Sequence, residues 1–439
     1  MIKRPYTRKE DFLQENDALQ TALPYDDDLG IFAVPLTVGQ KTIPNRLACQ
    51  AMEGCDGTET GSPGELTIRR YDRFAKGGAG LIWFEATAVC REGRANPRQL
   101  WITAENVDDF KREVARIKET GEKANGTAPV VIMQATHSGR YSKPDGVPAP
   151  LIAYNNPIFE ADSPIPGDRI LSDDDLDRVR DALVNAAELA EKAGFDGVDI
   201  KCCHRYLNSE LLSAHTRPGR YGGSFENRTR LLREAVKGAL ERCSSGFLVS
   251  TRLNVYDGFP YPYGFGVKSD GTLDFDPAEP DRLIKELSSY GVRLFNITMG
   301  NPYFNPHVNR PFTKGPYVPP EDPLIGVARV QNGTAELKKR NPDAAILCSA
   351  LSYLGTEAPH VAASFIRSGG YDLAGFGRTA FAYPDFANDI LFHGGMDAKK
   401  ICLCCSKCTE IMRKPGGTPG CVIRDQDPYL AIYRALCMK

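Results

Sequence analysis

The stretch Gly197-Val-Asp-Ile-Lys-Cys-Cys-His-Arg-Tyr206 opens as a short apolar run with β-branched residues and closes in a burst of titratable groups. A buried strand whose carboxyl end carries a site has this profile. Lys201, His204, Arg205 and Tyr206 crowd its end, and few strands built only for packing finish that way. These four are the candidate catalytic residues. A polar loop follows and runs on to Tyr221-Gly-Gly-Ser-Phe-Glu-Asn-Arg228.

Working outward, apolar runs of the same kind recur at Arg46–Met52, Gly80–Glu85, Pro129–Gln134, Phe247–Arg252, Leu294–Thr298, Ala345–Ser349 and Leu373–Phe376. Longer amphipathic stretches separate them. Ser172 with Asp175 makes a capping box that opens a helix over Leu176–Ala193, with Leu176, Val179, Leu183, Ala186, Ala187 and Ala190 on one face and Gly194 as its stop. Arg228–Leu240, Pro280–Leu287, Gly326–Lys339 and Pro359–Arg367 read the same way, and a short helix is expected from Pro384. Eight strand–helix repeats with apolar strands predict an α/β fold, a parallel (β/α)8 TIM barrel. An open doubly wound sheet competes, but it calls for a Gly-rich first turn, which Ala51-Met-Glu-Gly54 does not supply. The expected organisation is an N-terminal extension over 1–30, polar and without a period, a barrel over 31–395, and a cysteine-rich segment over 396–439.

The 439 residues are 42% hydrophobic and 25% charged, with a formal net charge of −2. That composition is globular and gives no electrostatic case for a nucleic acid or an anionic membrane surface. No apolar run approaches the roughly 18 residues of a membrane span, and Met1-Ile-Lys-Arg-Pro5 lacks a signal-peptide core. The expectation is a cytoplasmic protein, compatible with a homo-oligomer. The 13 cysteines are an odd set, with Cys402, Cys404, Cys405, Cys408 and Cys421 crowded into one stretch. A disulfide framework fits poorly with a long core-forming chain, and metal binding fits the crowded set better.

A barrel places its site at the carboxyl ends of the strands. Those ends carry Met52-Glu-Gly-Cys-Asp56, Glu85-Ala86, Gln134-Ala-Thr-His137, Arg252, Ser349-Ala350 and Gly377-Arg378, besides the opening stretch. Such a ring suits a planar cofactor with many heteroatoms. Glycines in Gly375-Phe-Gly-Arg378 let backbone N–H groups approach a phosphate that an arginine fork neutralises. Arg252 needs an acceptor, either a carboxylate such as Glu85 or the electron-rich edge of a reduced flavin. Gln134 offers the donor and the acceptor that a flavin's pyrimidine edge requires.

Pro44-Asn-Arg-Leu47 with Ala51-Met52, Gln134-Ala-Thr-His-Ser-Gly-Arg140, Val198-Asp-Ile-Lys201 with His204-Arg-Tyr206, Tyr221 to Arg228, and Gly377-Arg378 stand in an order that resembles the Old Yellow Enzyme family. The resemblance covers roughly residues 30 to 395. It implies FMN above the strand ends, with Ala51, Met52, Ala86, Gln134, Arg252, Ser349, Gly377 and Arg378 on the cofactor side. It also implies Tyr206 as proton donor and His204 as one of two residues gripping a substrate carbonyl. Lys201 occupies the other gripping position, Arg205 stands where glycine is common, and Ser349-Ala-Leu351 replaces a glycine pair. Tyr303 and His307, in the loop after the sixth strand, are backup proton donors.

Cys402, Cys405, Cys408 and Cys421 leave two, two and twelve residues between successive members. Four thiolates so arranged match iron–sulfur ligation and, less well, an all-cysteine zinc site; Cys404 is surplus. The same spacing recurs in the iron–sulfur branch of the family, which includes 2,4-dienoyl-CoA reductase, 2-enoate reductases and trimethylamine dehydrogenase. The resemblance thus implies a 4Fe-4S cluster beside FMN. With 18 residues left after Cys421, the FAD- and NAD(P)-binding half that follows in that branch is not expected. Electrons would come either from NAD(P)H directly or, the favoured route, through the cluster from a ferredoxin, flavodoxin or partner reductase. The leading expectation is an anaerobic-type ene-reductase for a C=C bond conjugated to a carbonyl or extended π system, in a small-molecule substrate that is bulky and planar, of enoate, enone, steroid or tetrapyrrole type. An amine dehydrogenase or demethylase and an electron-transfer subunit are the alternatives.

Overall fold

The computed structural model describes residues 4–438, so the first three residues of the expected extension and the last of the tail lie outside the described residues. The core is a closed barrel of parallel strands: β1 (Leu47–Cys49), β2 (Leu81–Ala88), β3 (Val130–Thr136), β4 (Gly197–Ile200), β5 (Leu248–Asn254), β6 (Leu294–Thr298), β7 (Ala345–Cys348) and β8 (Leu373–Phe376). The strands pair in chain order, and β8 closes on β1 with Ala374 opposite Leu47 and Phe376 opposite Cys49. The predicted barrel is therefore the observed one. Nearly every strand residue is buried, because the layers inside the barrel and the helices outside cover both faces.

A helix follows each strand: α1 (Glu65–Lys76), α2 (Val107–Asn125), α3 (Asp173–Lys192), α4 (Arg230–Arg242), α5 (Ala278–Tyr290), α6 (Pro323–Arg340), α7 (Ala358–Arg367) and α8 (Phe386–Phe392). The capping box of α3 forms as read: Asp175 N–H donates to Ser172 Oγ at 3.1 Å and Ser172 N–H to Asp175 Oδ2 at 2.8 Å. Its predicted apolar face is the buried one. Gly194, at φ +84°, ends the turn in a conformation that costs a side chain more than it costs glycine.

The N-terminal stretch holds a helix the sequence did not announce. Lys9–Ala18 is a helix, which shows no clear period because only Phe12 and Asn16 are buried on it. Phe12 is fully buried, edge-on to Tyr6 at 5.5 Å, an anchor that contributes about 2 kcal/mol. Next comes a hairpin of Leu36–Val38 and Lys41–Ile43, turned at Gly39 with φ +56°. Val38 and Ile43 join Leu81, Val130, Leu248 and Leu294, the amino ends of the strands, in one apolar cluster. The hairpin thus closes the floor of the barrel and leaves the carboxyl-end rim as its mouth.

Beyond α8 the chain returns over that rim. It forms a helix at Lys407–Met412 and another at Gln426–Cys437. Asp425 ties this tail to α1 through Arg69, at 2.7 Å, and Arg73. Among the described residues no helix is long and apolar enough to cross a membrane.

Candidate active site

The loop after β4 is the strained part of the rim. His204 and Arg205 both adopt left-handed backbone, at φ +63° and +61°, a region that costs a non-glycine residue about 1–2 kcal/mol. The two side chains part at this turn. His204 faces the cleft at the barrel mouth. Arg205 points away from it, fully buried, and this corrects its expected place among the substrate-facing groups. Its guanidinium donates to Asp257 Oδ2 at 3.0 Å, Ser213 Oγ at 2.6 Å and Tyr154 Oη at 3.3 Å, between the rings of Phe159 and Phe259. Arg205 thus anchors the loop, and a glycine at this position would meet the backbone requirement without the anchor.

The cleft is lined by every predicted cofactor-side residue, Ala51, Met52, Ala86, Gln134, Arg252, Ser349, Gly377 and Arg378, together with Lys201 and His204. It encloses about 1030 Å³ of open space, mouth included. Gln134 is held by Asp199, whose carboxylate accepts from Gln134 Nε2 at 2.6 Å, Trp83 Nε1 at 2.7 Å and the Arg252 backbone N–H at 2.6 Å. The alternative pairing of Arg252 with Glu85 does not form. Strand β2 bulges between Phe84 and Ala86, and Glu85 turns outward to Arg70 of α1, at 2.5 Å.

Several polar atoms in the cleft have no partner: His204 Nε2, Arg252 Nε, Arg310 Nη2 and Arg378 Nη1 are buried and unbonded. Buried donors left so are costly unless a ligand meets them. Arg310 was not found from sequence, because it sits in an aperiodic loop after β6. Burial and the neighbouring Arg378 push its guanidinium down to about 10. Two guanidinium groups side by side suit a phosphate. At Gly377 a Cβ would stand 3.0 Å from Met52 Sδ, a tight approach at the cleft wall that the flexible methionine could yield to. These residues fit FMN.

Tyr206 stands just behind the cleft wall. Its Oη donates to Glu53 Oε2 at 3.2 Å and meets Tyr303 Oη at 2.9 Å, and both of those residues line the cleft. Burial, with the charge of Glu53 beside it, pushes the phenol well above its ordinary value, so it keeps its proton at neutral pH. Lys201 lies with Nζ 3.5 Å from the centre of the Tyr206 ring. Burial pulls the ammonium of Lys201 down, and Glu53 opposes that. Burial, Arg252 and Lys201 hold His204 well below its usual value, so its imidazole is neutral. Of the backup donors, Tyr303 joins the site; His307 instead bonds Tyr317 Oη, at 2.6 Å, outside the cleft lining.

The Tyr221–Arg228 stretch is architectural. Tyr221 Oη donates to Asp177 of α3 at 2.5 Å, and Arg228 spans to Glu279 of α5 at 2.6 Å. At Gly222 a Cβ would lie 2.0 Å from the Arg217 carbonyl, so only glycine fits.

Cys402, Cys405, Cys408 and Cys421 line one small cavity with Arg378 and Phe381, and Cys408 and Arg378 also line the cleft. The segment folds around the thiols. Cys404 N–H lies 3.4 Å from Cys402 Sγ, and Arg424 N–H lies 3.4 Å from Cys421 Sγ. Left-handed turns at Cys404 and Ser406, φ +51° and +59°, wind the loop, and Thr313 pins it from the barrel side through the carbonyls of Leu403 and Cys404. Among the described residues no three His, Cys, Asp or Glu side chains stand where they could hold a single metal ion.

A profile of the NADH:flavin oxidoreductase / NADH oxidase family matches residues 31–264, more than half of the chain. The NADPH dehydrogenase of Geobacillus sp. (strain WCH70) is 32% identical over 271 residues, 61% of this chain and 72% of that protein. Among solved structures, 2-naphthoyl-CoA reductase superposes with a TM-score of 0.72 at 19% identity, over 92% of this chain but only 58% of its own. Morphinone reductase superposes with a TM-score of 0.60 at 20% identity, over 83% of this chain and 91% of its own. At such identities the two structures speak for the fold.

Proposed function

The chain belongs to the NADH:flavin oxidoreductase / NADH oxidase family, and from that premise we propose that it is an FMN- and 4Fe-4S-dependent ene-reductase acting on a C=C bond conjugated to a carbonyl or extended π system. One observation carries the reading: a neutral imidazole and a lysine line a cleft with a protonated phenol just behind its wall, and the other walls hold guanidinium groups each with a buried nitrogen lacking a partner. Arg310 and Arg378 would take the FMN phosphate, and Gln134, Arg252, Met52, Ala86 and Ser349 would hold the ring. When bound, reduced FMN supplies hydride to the β-carbon of the activated double bond.

The chain's own groups do the rest. His204 and Lys201 donate hydrogen bonds to the carbonyl oxygen as it gains charge, an electrostatic contribution that is large in a water-poor cleft. Tyr206, with its proton retained, delivers H⁺ to the α-carbon. The cations lining the cleft, Lys201, Arg252, Arg310 and Arg378, argue against the amine-dehydrogenase alternative, whose substrate is itself a cation. Cys402, Cys405, Cys408 and Cys421 are assigned to the cluster on their spacing and their shared cavity, and with it residues 396–439 are assigned as its segment beside a 31–395 barrel. A nicotinamide donor agrees with the NADPH dehydrogenase relative, and a ferredoxin, flavodoxin or partner reductase agrees with the cysteines.

The test is purification without oxygen, followed by flavin, iron and acid-labile sulfide assays. The dithionite-reduced protein is then mixed with 2-cyclohexenone, trans-cinnamate, a steroid enone and trimethylamine. Flavin together with stoichiometric iron and sulfide, and reoxidation by an unsaturated carbonyl but not by the amine, is the expected result. Colourless protein without flavin overturns the reading, and zinc in place of iron overturns its cluster.

A further inference from the structure

Glu53 has no part in the mechanism so far, yet its surroundings are unusual for a loop acid. It follows β1 and is half-buried, with Oε1 accepting from Gln99 Nε2 at 2.7 Å and Oε2 accepting from Tyr206 Oη at 3.2 Å. The groups facing it are Lys201 at the end of β4, Cys203 and Tyr206 in the loop behind, Tyr303 after β6, and Cys55 in its own segment. Burial lifts its carboxyl above the ordinary glutamate range, and Lys201 and the hydrogen bonds to Tyr206 and Gln99 pull the other way.

Its position relative to water is the second observation. Beside the cleft lies a wider cavity, walled by the loops after β1, β2 and β3 and by the tail near Lys414. Exposed residues such as Glu59, Lys414 and Gly416 line it, so it communicates with solvent. Glu53 and Tyr303 line both this cavity and the cleft. The acid therefore sits in the partition, with the donor phenol on one side and water on the other. Without such a link Tyr206, itself 1% exposed, would be stranded as a phenolate after one turnover.

We infer that Glu53 is the proton source of Tyr206, recharging it from the side cavity. The inference rests on the ene-reductase reading. The proton balance closes: the α-carbon takes the Tyr206 hydroxyl proton, the phenolate takes the proton of the Glu53 carboxyl, and the Glu53 carboxylate takes one from water. The electron pair arrives at the β-carbon as the hydride of the reduced flavin. Glu53 acts through Tyr206 and is not a catalytic residue in its own right.

The test uses the holoenzyme and whichever of 2-cyclohexenone, trans-cinnamate or a steroid enone it reduces fastest. Glu53→Gln keeps the shape and still accepts from Gln99 through its amide oxygen, turns the other contact into an N–H donated to Tyr206 Oη, and cannot relay a proton. Its first turnover, for which Tyr206 enters already protonated, stays within about threefold of wild type, whereas kcat falls about 10²-fold at unchanged KM and the alkaline limb of its pH profile moves to lower pH. Glu53→Asp, which retains an acid, recovers part of kcat. Independently of turnover, a protonated-carboxyl band in the infrared spectrum of wild type titrates above the ordinary glutamate range and is missing in Glu53→Gln. Wild-type kcat and pH profile in Glu53→Gln overturn the inference, as does a first turnover slowed as much as kcat, which marks a structural role. If wild type reduces none of the probes, the ene-reductase reading falls and takes the inference with it; ferricyanide reoxidation, which takes electrons alone, verifies the flavin in each sample.

Discussion

His204 and Tyr206 are separated by one residue, and that residue decides what both can do. The left-handed backbone at Arg205 sends its guanidinium into the protein, where Asp257 receives it. Arg205→Gly relieves the backbone strain, worth about 1 kcal/mol, but abandons a buried carboxylate, worth about 3–5 kcal/mol. The variant should be less stable by about 2–4 kcal/mol in urea unfolding at pH 8. Burial already raises Asp257 and Arg205 opposes the rise, so in the variant its carboxyl moves higher still. A folded-state value above the unfolded one stabilises at low pH and loses that contribution as pH rises, so the deficit should shrink toward pH 5. On the proposed mechanism Tyr206→Phe removes the proton donor while Lys201 and His204 remain, and should lower enone turnover by about 10²–10⁴-fold with little effect on bound flavin, measured by absorbance and steady-state rates. Sequence placed Lys201, His204 and Tyr206 together because they share a strand end, and placed Arg205 with them for the same reason. Proximity along the chain was legible, but the sign of φ, and so the direction of the side chain, was not. Glu53 was overlooked because a lone acid after Met52 looks like any solvated loop charge, and only the fold brings Gln99 and Tyr206 against it.

The elements repeat the lesson at larger spacing. Strands with buried faces on both sides announce themselves as apolar runs, and α3 announced both its start at Ser172 and its stop at Gly194. The Lys9–Ala18 helix did not, since most of its surface is polar and its contacts are with residues far along the chain, Tyr353 and Glu357 reaching it through Tyr6 and Tyr25. The tail was legible as a set of cysteines, whereas its attachment was not: Asp425 meets Arg69 and Arg73 across more than 350 residues of sequence. Those arginines are partly exposed, so the pairing is worth about 1 kcal/mol. Asp425→Asn should leave the melting temperature nearly unchanged yet speed hydrogen exchange over Cys402–Cys421, and because Cys408 and Met412 wall the cleft it should also loosen flavin binding in equilibrium dialysis.

At the scale of the whole molecule, stability carries a pH signature from α2. Glu113 is 3% exposed, with Oε1 unbonded, and burial pushes its carboxyl up to about 7 against the pull of Arg116. The unfolded chain ionises it near 4.5, so the folded state gives up stability as pH climbs from there to about 7, in all about 3 kcal/mol. Glu113→Gln, free of that cost, should melt higher than wild type at pH 8, and the two should converge near pH 4 in calorimetry. The floor hairpin has a different consequence. With Val38 and Ile43 stoppering the base, the barrel is a vessel with one door. A dinucleotide and an unsaturated acceptor that both work by touching the flavin must queue for it, and their double-reciprocal plots run parallel. If the proposed cluster on the tail's thiols delivers the reducing equivalents instead, they come through the wall, the acceptor need not step aside, and the lines converge.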